Sequence, residues 1–176
     1  MSRTEILIGG VGGQGVVLSA VLLGTAATLF EGKQAVQTQS YSSELRGGSA
    51  RAEVIISDEP VSDPQVRKPD ILIVLAEDAL QKYIGRIKSK GLLVIDSDLV
   101  KGAKPGDYAT LAIPATSIAD KEMGNIVVAN LIILGALLKK TGLLSVESME
   151  KAIEVSVPKK AITLNLNAFR RGLQLF

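Results

Sequence analysis

The sequence has one glycine-rich stretch whose spacing suits the binding of a phosphate group. Five of the seven residues from Gly9 to Gly15 are glycines, and Gly10 to Gly15 reads Gly-Val-Gly-Gly-Gln-Gly. This G-x-G-x-x-G pattern lies between a predicted strand and a predicted helix, where backbone amides at a helix start can cradle a phosphate. A tight strand-to-helix turn that packs only within the chain accounts for the same glycines equally well.

The rest of the sequence lacks residues that complete two common nucleotide sites. An NAD site places an acidic side chain at the end of the second strand, about 20 residues after the glycines. Here that strand is predicted over residues 33–39 and carries Gln34, Gln37 and Gln39. No Gly-Lys-Ser/Thr follows the glycines, so the phosphate loop of nucleoside triphosphatases is excluded as well. A helix N-terminus contributes at most about 2 kcal/mol, which is too little for a tight nucleotide site.

The composition excludes several kinds of chemistry for this chain. No cysteine and no histidine occur among its 176 residues. A thiol nucleophile, a Ser-His-Asp triad, a disulfide and cysteine ligation of an iron–sulfur cluster are therefore ruled out. We predict no catalytic residue and no metal ligand. Twenty basic and 18 acidic residues give a net charge of +2, which does not favour nucleic-acid binding.

Nothing in the sequence predicts export or membrane insertion. No signal peptide is visible at the start of the chain. The longest apolar stretch runs only from Ile126 to Leu138 and contains Asn130, so it is too short to span a bilayer. We expect a cytoplasmic protein.

Alternating strand and helix patterns indicate an α/β protein with a sheet covered on both faces. Strands are predicted over 5–10, 33–39, 51–57, 71–76, 92–98 and 110–115, and helices over 14–30, 77–90 with Gly91 as the stop, 118–141, 146–155 and 163–173. No crossover helix separates the second and third strands, so we expect an antiparallel pair there and a mixed, mostly parallel sheet. No linker or repeat divides residues 1–176, which predicts a single domain.

A second motif follows the predicted second strand. The segments GGVGGQGV at 9–16 and QSYSSELRGGSA at 39–50 together resemble the gamma subunit of 2-oxoacid:ferredoxin oxidoreductases. The family pattern in the second segment is close to Ser-Tyr-Gly-Pro-Glu-x-Arg-Gly-Gly, and Ser42 and Ser43 replace its Gly and Pro. Segments 114–125, 130–142 and 165–172 resemble further parts of the family in the same order, so the likeness covers nearly the whole chain. The matching residues of the second motif are Ser40, Tyr41, Glu44, Arg46, Gly47 and Gly48.

The resemblance implies a three-layer α/β/α domain in a complex that oxidatively decarboxylates a 2-oxoacid. Such complexes use coenzyme A and form an acyl-CoA, carbon dioxide and reduced ferredoxin. The resemblance also implies that thiamine diphosphate and iron–sulfur clusters belong to partners, namely thiamine-binding alpha and beta subunits and a ferredoxin-like delta subunit. The second motif is most similar to that of 2-oxoglutarate enzymes, while pyruvate, branched-chain 2-oxoacids and indolepyruvate stay open.

A function of another class also fits the glycine motif. The chain would then be a stand-alone Rossmann-like nucleotide-binding regulatory module, which would bind NAD or ATP by itself. In either case, isolated chains could self-associate into a homo-oligomer through an apolar surface that a partner leaves uncovered.

The predicted binding residues belong to the two motifs, and each has a local alternative. The amide of Gln14 could bond across an interface or hold its own loop. Arg46 could engage a phosphate or carboxylate of coenzyme A or of a partner, or pair locally with Glu44 or Glu53. Tyr41 fits an interface anchor if exposed and a loop support if buried. The complete predicted set is Gly10, Gly12, Gly13, Gln14, Gly15, Ser40, Tyr41, Glu44, Arg46, Gly47 and Gly48.

Both motifs are expected near the carboxyl ends of neighbouring strands, where α/β sheets carry their sites. Asp96 and Asp98 follow another predicted strand and should lie on the same edge. No partner acid or base is evident at a suitable spacing. We therefore predict helix-capping and loop roles for both carboxylates.

Overall fold

Six strands form one sheet in the computed structural model of the protein, which describes residues 2–42 and 48–176. In chain order the strands are β1 (Arg3–Val11), β2 (Gln34–Tyr41), β3 (Ser49–Ser57), β4 (Ile71–Val74), β5 (Gly91–Asp96) and β6 (Tyr108–Ile113). Their order across the sheet is β2-β3-β1-β4-β5-β6. Strand β1 is therefore central, and the glycine motif emerges from the middle of the sheet.

The sheet is mixed and mostly parallel, as predicted. Strands β1, β4, β5 and β6 are parallel neighbours, whereas β3 runs antiparallel to both β1 and β2. Only residues 42–48 separate β2 from β3 in the chain, and so short a connection suits an antiparallel pair. The carboxyl ends of β1 and β2 consequently lie at the same edge as the amino end of β3.

Helices cover both faces of the sheet, which confirms the three-layer α/β/α architecture. The helices are α1 (Val16–Phe30), α2 (Glu77–Tyr83), α3 (Ala115–Ile118), α4 (Ala129–Thr141), α5 (Val146–Ser156) and α6 (Ile162–Leu173). Alternate residues of β1 point to opposite faces: Ile6 and Ile8 join the core under α1 and α4–α6, and Leu7 joins the core under α2. No helix among the described residues is both long and apolar enough to cross a bilayer.

The prediction of one long helix over 118–141 is wrong, because the chain turns before α4 begins. A π-type turn over Ala119–Met123 ends at Gly124, whose φ of 68° stops the helix. The Asn125 side chain then accepts a hydrogen bond from the Val127 amide at 3.0 Å and starts a short 3₁₀ turn. This break places residues 125–128 beside the glycine motif.

Other boundaries also differ from prediction, including those at Gly91 and at the end of β2. Helix α2 ends at Tyr83 and a 3₁₀ turn follows, so Gly91 does not stop it. Gly91 instead begins β5, and a Cβ there would lie 3.0 Å from the Asp70 carbonyl oxygen. Strand β2 continues through Tyr41, because the hairpin with β3 extends to the pair Tyr41–Ala50.

Helices α4 and α6 cross at direct backbone contact. A Cβ on Gly135 would lie 2.1 Å from the Phe169 carbonyl oxygen, and one on Gly172 would lie 2.1 Å from that of Ile132. Only glycine permits this approach, and the crossing fixes Asn130 and Asn165 beside the glycine motif.

The crossing predicts the stability of a matched pair of variants. Gly135→Ala should lower the free energy of unfolding by about 3 kcal/mol, since backbone cannot yield as a side chain would. In Gly85→Ala the added Cβ meets no atom within 4 Å. This variant should change the free energy of unfolding by less than about 1 kcal/mol. Urea denaturation measures both values. Equal stability of the two variants would contradict the close crossing.

Candidate functional site

The glycine motif forms a tight turn between β1 and α1. Gly13 and Gly15 have φ values of 90° and 75°, in the left-handed region that favours glycine. Gly15 also lies against α4, where a Cβ would stand 2.4 Å from Nδ2 of Asn130. Both the backbone conformation and the available space therefore require glycine at position 15.

Gln14 holds this turn to the sheet. Its Oε1 accepts the Val11 amide at 2.8 Å, and its Nε2 donates to the Leu75 carbonyl at 2.8 Å. The side chain thus bridges the ends of β1 and β4. Of the two roles open to Gln14 from the sequence, the structure shows the local one.

The start of α1 presents backbone amides that the helix itself does not use. The first helical bond runs from the Ser19 amide to the Gly15 carbonyl at 2.9 Å, and Gly15 provides no side-chain cap. The amides of Val16, Val17 and Leu18 therefore precede the first intrahelical bond. With the macrodipole, they give this end of α1 a partial positive charge that suits an anion.

The described parts of the second motif, residues 39–42 and 48–50, lie beside the first. The Gly12 amide donates to the Gly48 carbonyl at 2.9 Å, which joins the glycine turn to the segment before β3. Ser40 and Tyr41 end β2, and Tyr41 is 61% exposed, the condition under which the sequence predicts an interface anchor. Gly10 ends the buried part of β1. The predicted site residues Glu44, Arg46 and Gly47 lie outside the described residues.

A cavity of about 460 Å³ joins the two motifs. Gly12, Gly13 and Gly15 line it from one side and Tyr41 from another. Residues from the break before α4, from α4 and from α6 complete the lining. No charged side chain occurs among the described residues that line it, so the amides at the start of α1 supply its main electrostatic character.

Asn130 links this cavity to the glycine turn, a role that the sequence motifs do not predict. Its Nδ2 donates to the Gly15 carbonyl at 3.3 Å and to Ser19 Oγ at 3.2 Å, and the residue is 2% exposed. Its Oδ1 is buried and accepts no hydrogen bond from the described residues. The sequence signal for Asn130 is that it is the single amide side chain in the apolar stretch 126–138.

A smaller cavity of about 180 Å³ lies on the other side of the turn, beside Gly13, Gln14 and Asp96. Asp96 Oδ2 accepts the Thr116 hydroxyl at 2.6 Å, and burial raises the pKa of this carboxyl. Asp98 Oδ2 accepts the Ser117 amide at 2.6 Å, at the start of α3. Both carboxylates thus serve the loop and the helix start, in agreement with prediction. The described residues contain no cluster of acidic side chains that could hold a metal ion.

Glu53 was one of two local partners considered for Arg46, and it already contacts other described residues. It lies 3.7 Å from Arg51 and 3.6 Å from Arg86, and it accepts the Val66 amide at 3.2 Å. These contacts lie on the α2 side of the sheet, where Val66 belongs to the core. The local pairing of Arg46 with Glu53 would therefore compete with two arginines.

Comparison with known proteins identifies the family. Residues 5–175 match the pyruvate ferredoxin/flavodoxin oxidoreductase family, and the chain belongs to it. It is 49% identical to the 2-oxoglutarate synthase subunit KorC of Methanocaldococcus jannaschii, over 98% of this chain and 94% of that one.

Solved structures agree with the fold. The gamma subunit of a keto/oxoacid ferredoxin oxidoreductase from Geobacter sulfurreducens has a TM-score of 0.85 at 42% identity, covering 97% of this chain and 96% of that one. A 2-oxoglutarate:ferredoxin oxidoreductase from Magnetococcus marinus, with 2-oxoglutarate, coenzyme A and succinyl-CoA bound, has a TM-score of 0.87 at 23% identity. It covers 98% of this chain and 31% of that chain, and it supports the fold alone.

The turn predicts a clear difference between glycine variants at Gly15, which caps α1, and at Gly24, which lies within it. Gly15→Ala should lower the free energy of unfolding by at least about 2 kcal/mol, because it adds backbone strain and overlaps Asn130. Gly24→Ala adds a Cβ in open space within α1 and should raise the free energy of unfolding by about 0.5–1 kcal/mol. Thermal or urea unfolding measures both. A Gly15→Ala chain as stable as the wild type would contradict the observed turn.

Proposed function

We propose that this protein is the non-catalytic gamma subunit of a cytoplasmic 2-oxoglutarate:ferredoxin oxidoreductase. The complex would oxidise 2-oxoglutarate with coenzyme A to succinyl-CoA and carbon dioxide and pass the electrons to ferredoxin. The observation that carries this proposal is the 49% identity to a 2-oxoglutarate synthase subunit along nearly the full length of both chains. The 42% identity to a solved gamma subunit supports the subunit type.

The chemistry of the reaction would belong to other chains. With no cysteine or histidine, this chain has no usual ligand for an iron–sulfur cluster and no histidine base. Thiamine-binding alpha and beta subunits and a ferredoxin-like delta subunit would supply thiamine diphosphate and the clusters. This chain would contribute shape, contact surface and hydrogen-bond donors.

The glycine turn and the second motif would together hold a phosphate group of coenzyme A. Three features support this role: the amides of Val16–Leu18 precede the first intrahelical bond, the adjoining cavity of about 460 Å³ has no acidic side chain among its described lining, and Tyr41 borders that cavity. Arg46, two positions before Gly48 in the sequence, is the predicted charged group for the same phosphate. In the alternative hypothesis, these residues would contact a partner subunit.

The substrate assignment predicts the specificity of the reconstituted complex. Ferredoxin reduction should be measured with 2-oxoglutarate, pyruvate, 2-oxoisovalerate and indolepyruvate in the presence of coenzyme A. We expect kcat/KM for 2-oxoglutarate to exceed the others by at least about tenfold, a transition-state difference of about 1.4 kcal/mol. Preference for another 2-oxoacid would overturn the assignment of 2-oxoglutarate as the substrate. Turnover by this chain alone would contradict the non-catalytic role, and its saturable binding of NAD or ATP at micromolar affinity would favour the regulatory-module alternative.

The role of Arg46 predicts a selective kinetic effect. In the assembled complex, Arg46→Ala should raise the KM for coenzyme A about tenfold, because a charge-assisted hydrogen bond to phosphate is lost. The KM for 2-oxoglutarate should not change. Arg67→Ala removes an arginine of 77% side-chain exposure that pairs with Asp63, and it serves as the control. An unchanged KM for coenzyme A with assembly intact would leave Arg46 a local structural role.

A further inference from the structure

Strand β2 forms one edge of the sheet and presents unused backbone groups. The Ser42 amide donates to the Ser49 carbonyl at 3.0 Å, so the backbone of residue 42 points towards β3. Hydrogen-bonding direction alternates along an antiparallel strand. The N–H and C=O groups of Ala35, Gln37, Gln39 and Tyr41 therefore point away from the sheet. None of these four residues forms a backbone bond outside the β2–β3 ladder among the described residues.

This edge lacks the features that normally prevent strand pairing. Edge strands are commonly protected by lysine, proline or a bulge. Residues 34–42 contain no charged residue and no proline, and the register with β3 is continuous from Gln34–Ser57 to Tyr41–Ala50. The exposed edge is therefore a regular, neutral strand of eight residues.

From this edge we infer that the protein forms a symmetric homodimer in which β2 pairs antiparallel with β2 of a second copy. Placing the two-fold axis at Thr38 sets Gln37 opposite Gln39 of the second copy and Ala35 opposite its Tyr41. This register uses the outward N–H and C=O of all four residues in eight hydrogen bonds across the interface. Shifting the axis to residue 37 or 39 leaves an outward residue without a partner within the strand. The result is a continuous sheet of twelve strands.

The position of α1 supports a second copy as the occupant. Helix α1 packs on β3 and β2, next to this edge. Its residue Val21 is only partly buried, and Leu29 is 67% exposed. A two-fold axis perpendicular to the sheet keeps both copies of α1 on the same side of the extended sheet. Dimerisation then brings two partly uncovered apolar helices together, while the neutral strands add no charge repulsion.

The absence of cysteine makes this register directly testable by cross-linking of the full chain. In the proposed dimer, Thr38 faces Thr38 of the second copy as a non-hydrogen-bonded pair, with Cα atoms about 4.5 Å apart, within the range of a disulfide. Ser40 lies on the same strand and face but faces Val36 of the second copy. Under copper–phenanthroline oxidation, Thr38→Cys should form disulfide-linked dimers and Ser40→Cys should stay largely unlinked.

Charge substitutions test the same pairing without oxidation. Gln37→Lys/Gln39→Lys places two like-charged pairs across the interface and should raise the dimer dissociation constant about tenfold. Gln37→Lys/Gln39→Glu changes the same two positions but sets opposite charges face to face, and it should restore or strengthen the dimer. Thr110→Lys on β6, the opposite edge of the sheet, should have no effect. Analytical ultracentrifugation measures each dissociation constant.

Each outcome bears on the inference. A wild-type chain that sediments as a monomer at about 0.1 mM would overturn it, and this edge would then be available to a strand of another protein. Equal cross-linking of the two cysteine variants, or equal weakening by both double substitutions, would also overturn the register. These measurements use the isolated chain, so they do not depend on the 2-oxoacid or on the proposed coenzyme A contact.

Discussion

The close contact of the glycine turn with its surroundings determines the geometry of the candidate site. Gly15 combines a left-handed backbone with direct contact to Asn130 of α4. The hydrogen bond from Gly12 to Gly48 joins the turn to the segment before β3, and Gln14 joins it to the end of β4. Three separate parts of the fold thus hold the start of α1 in place. Because rigid amides lose little entropy on binding an anion, this arrangement favours recognition of a phosphate.

The division of labour in the proposed complex follows from residue types. The cavity beside the turn is lined by glycines, apolar side chains, amides and a tyrosine, which bind and orient but do not transfer electrons. The raised pKa of Asp96 has a structural cause, because this buried carboxyl joins the end of β5 to the start of α3 through Thr116. Perturbed carboxyls often indicate catalysis, but here the hydrogen-bond partners are local.

Sequence patterns were sufficient for the sheet and for the place of the glycine motif. The buried runs at 5–10, 71–76 and 92–98 are β-rich and uninterrupted, and they became β1, β4 and β5. The missing crossover between β2 and β3 correctly predicted an antiparallel pair. These features depend on local composition and on the length of connections, which a single sequence displays directly.

Features that depend on tertiary contacts could not be predicted in the same way. The break at Gly124 is not one of these features, because its cause is local: Gly124 stops one turn and Asn125 caps the next. Asn130 appeared as one amide in an apolar helix, and its contact with Gly15 joins residues 115 positions apart. Single-sequence patterns carry no information about such pairs. The free edge of β2 likewise became evident only when the strand order was known.

Hydrogen–deuterium exchange of the assembled complex shows whether the amides at the start of α1 bind a phosphate of coenzyme A. Exchange of residues 12–18 should be followed with saturating coenzyme A and with pantetheine, which lacks the phosphates. We expect slower exchange in this segment with coenzyme A and little change with pantetheine. Unchanged exchange of residues 12–18 in a complex that is saturated with coenzyme A and active would contradict it.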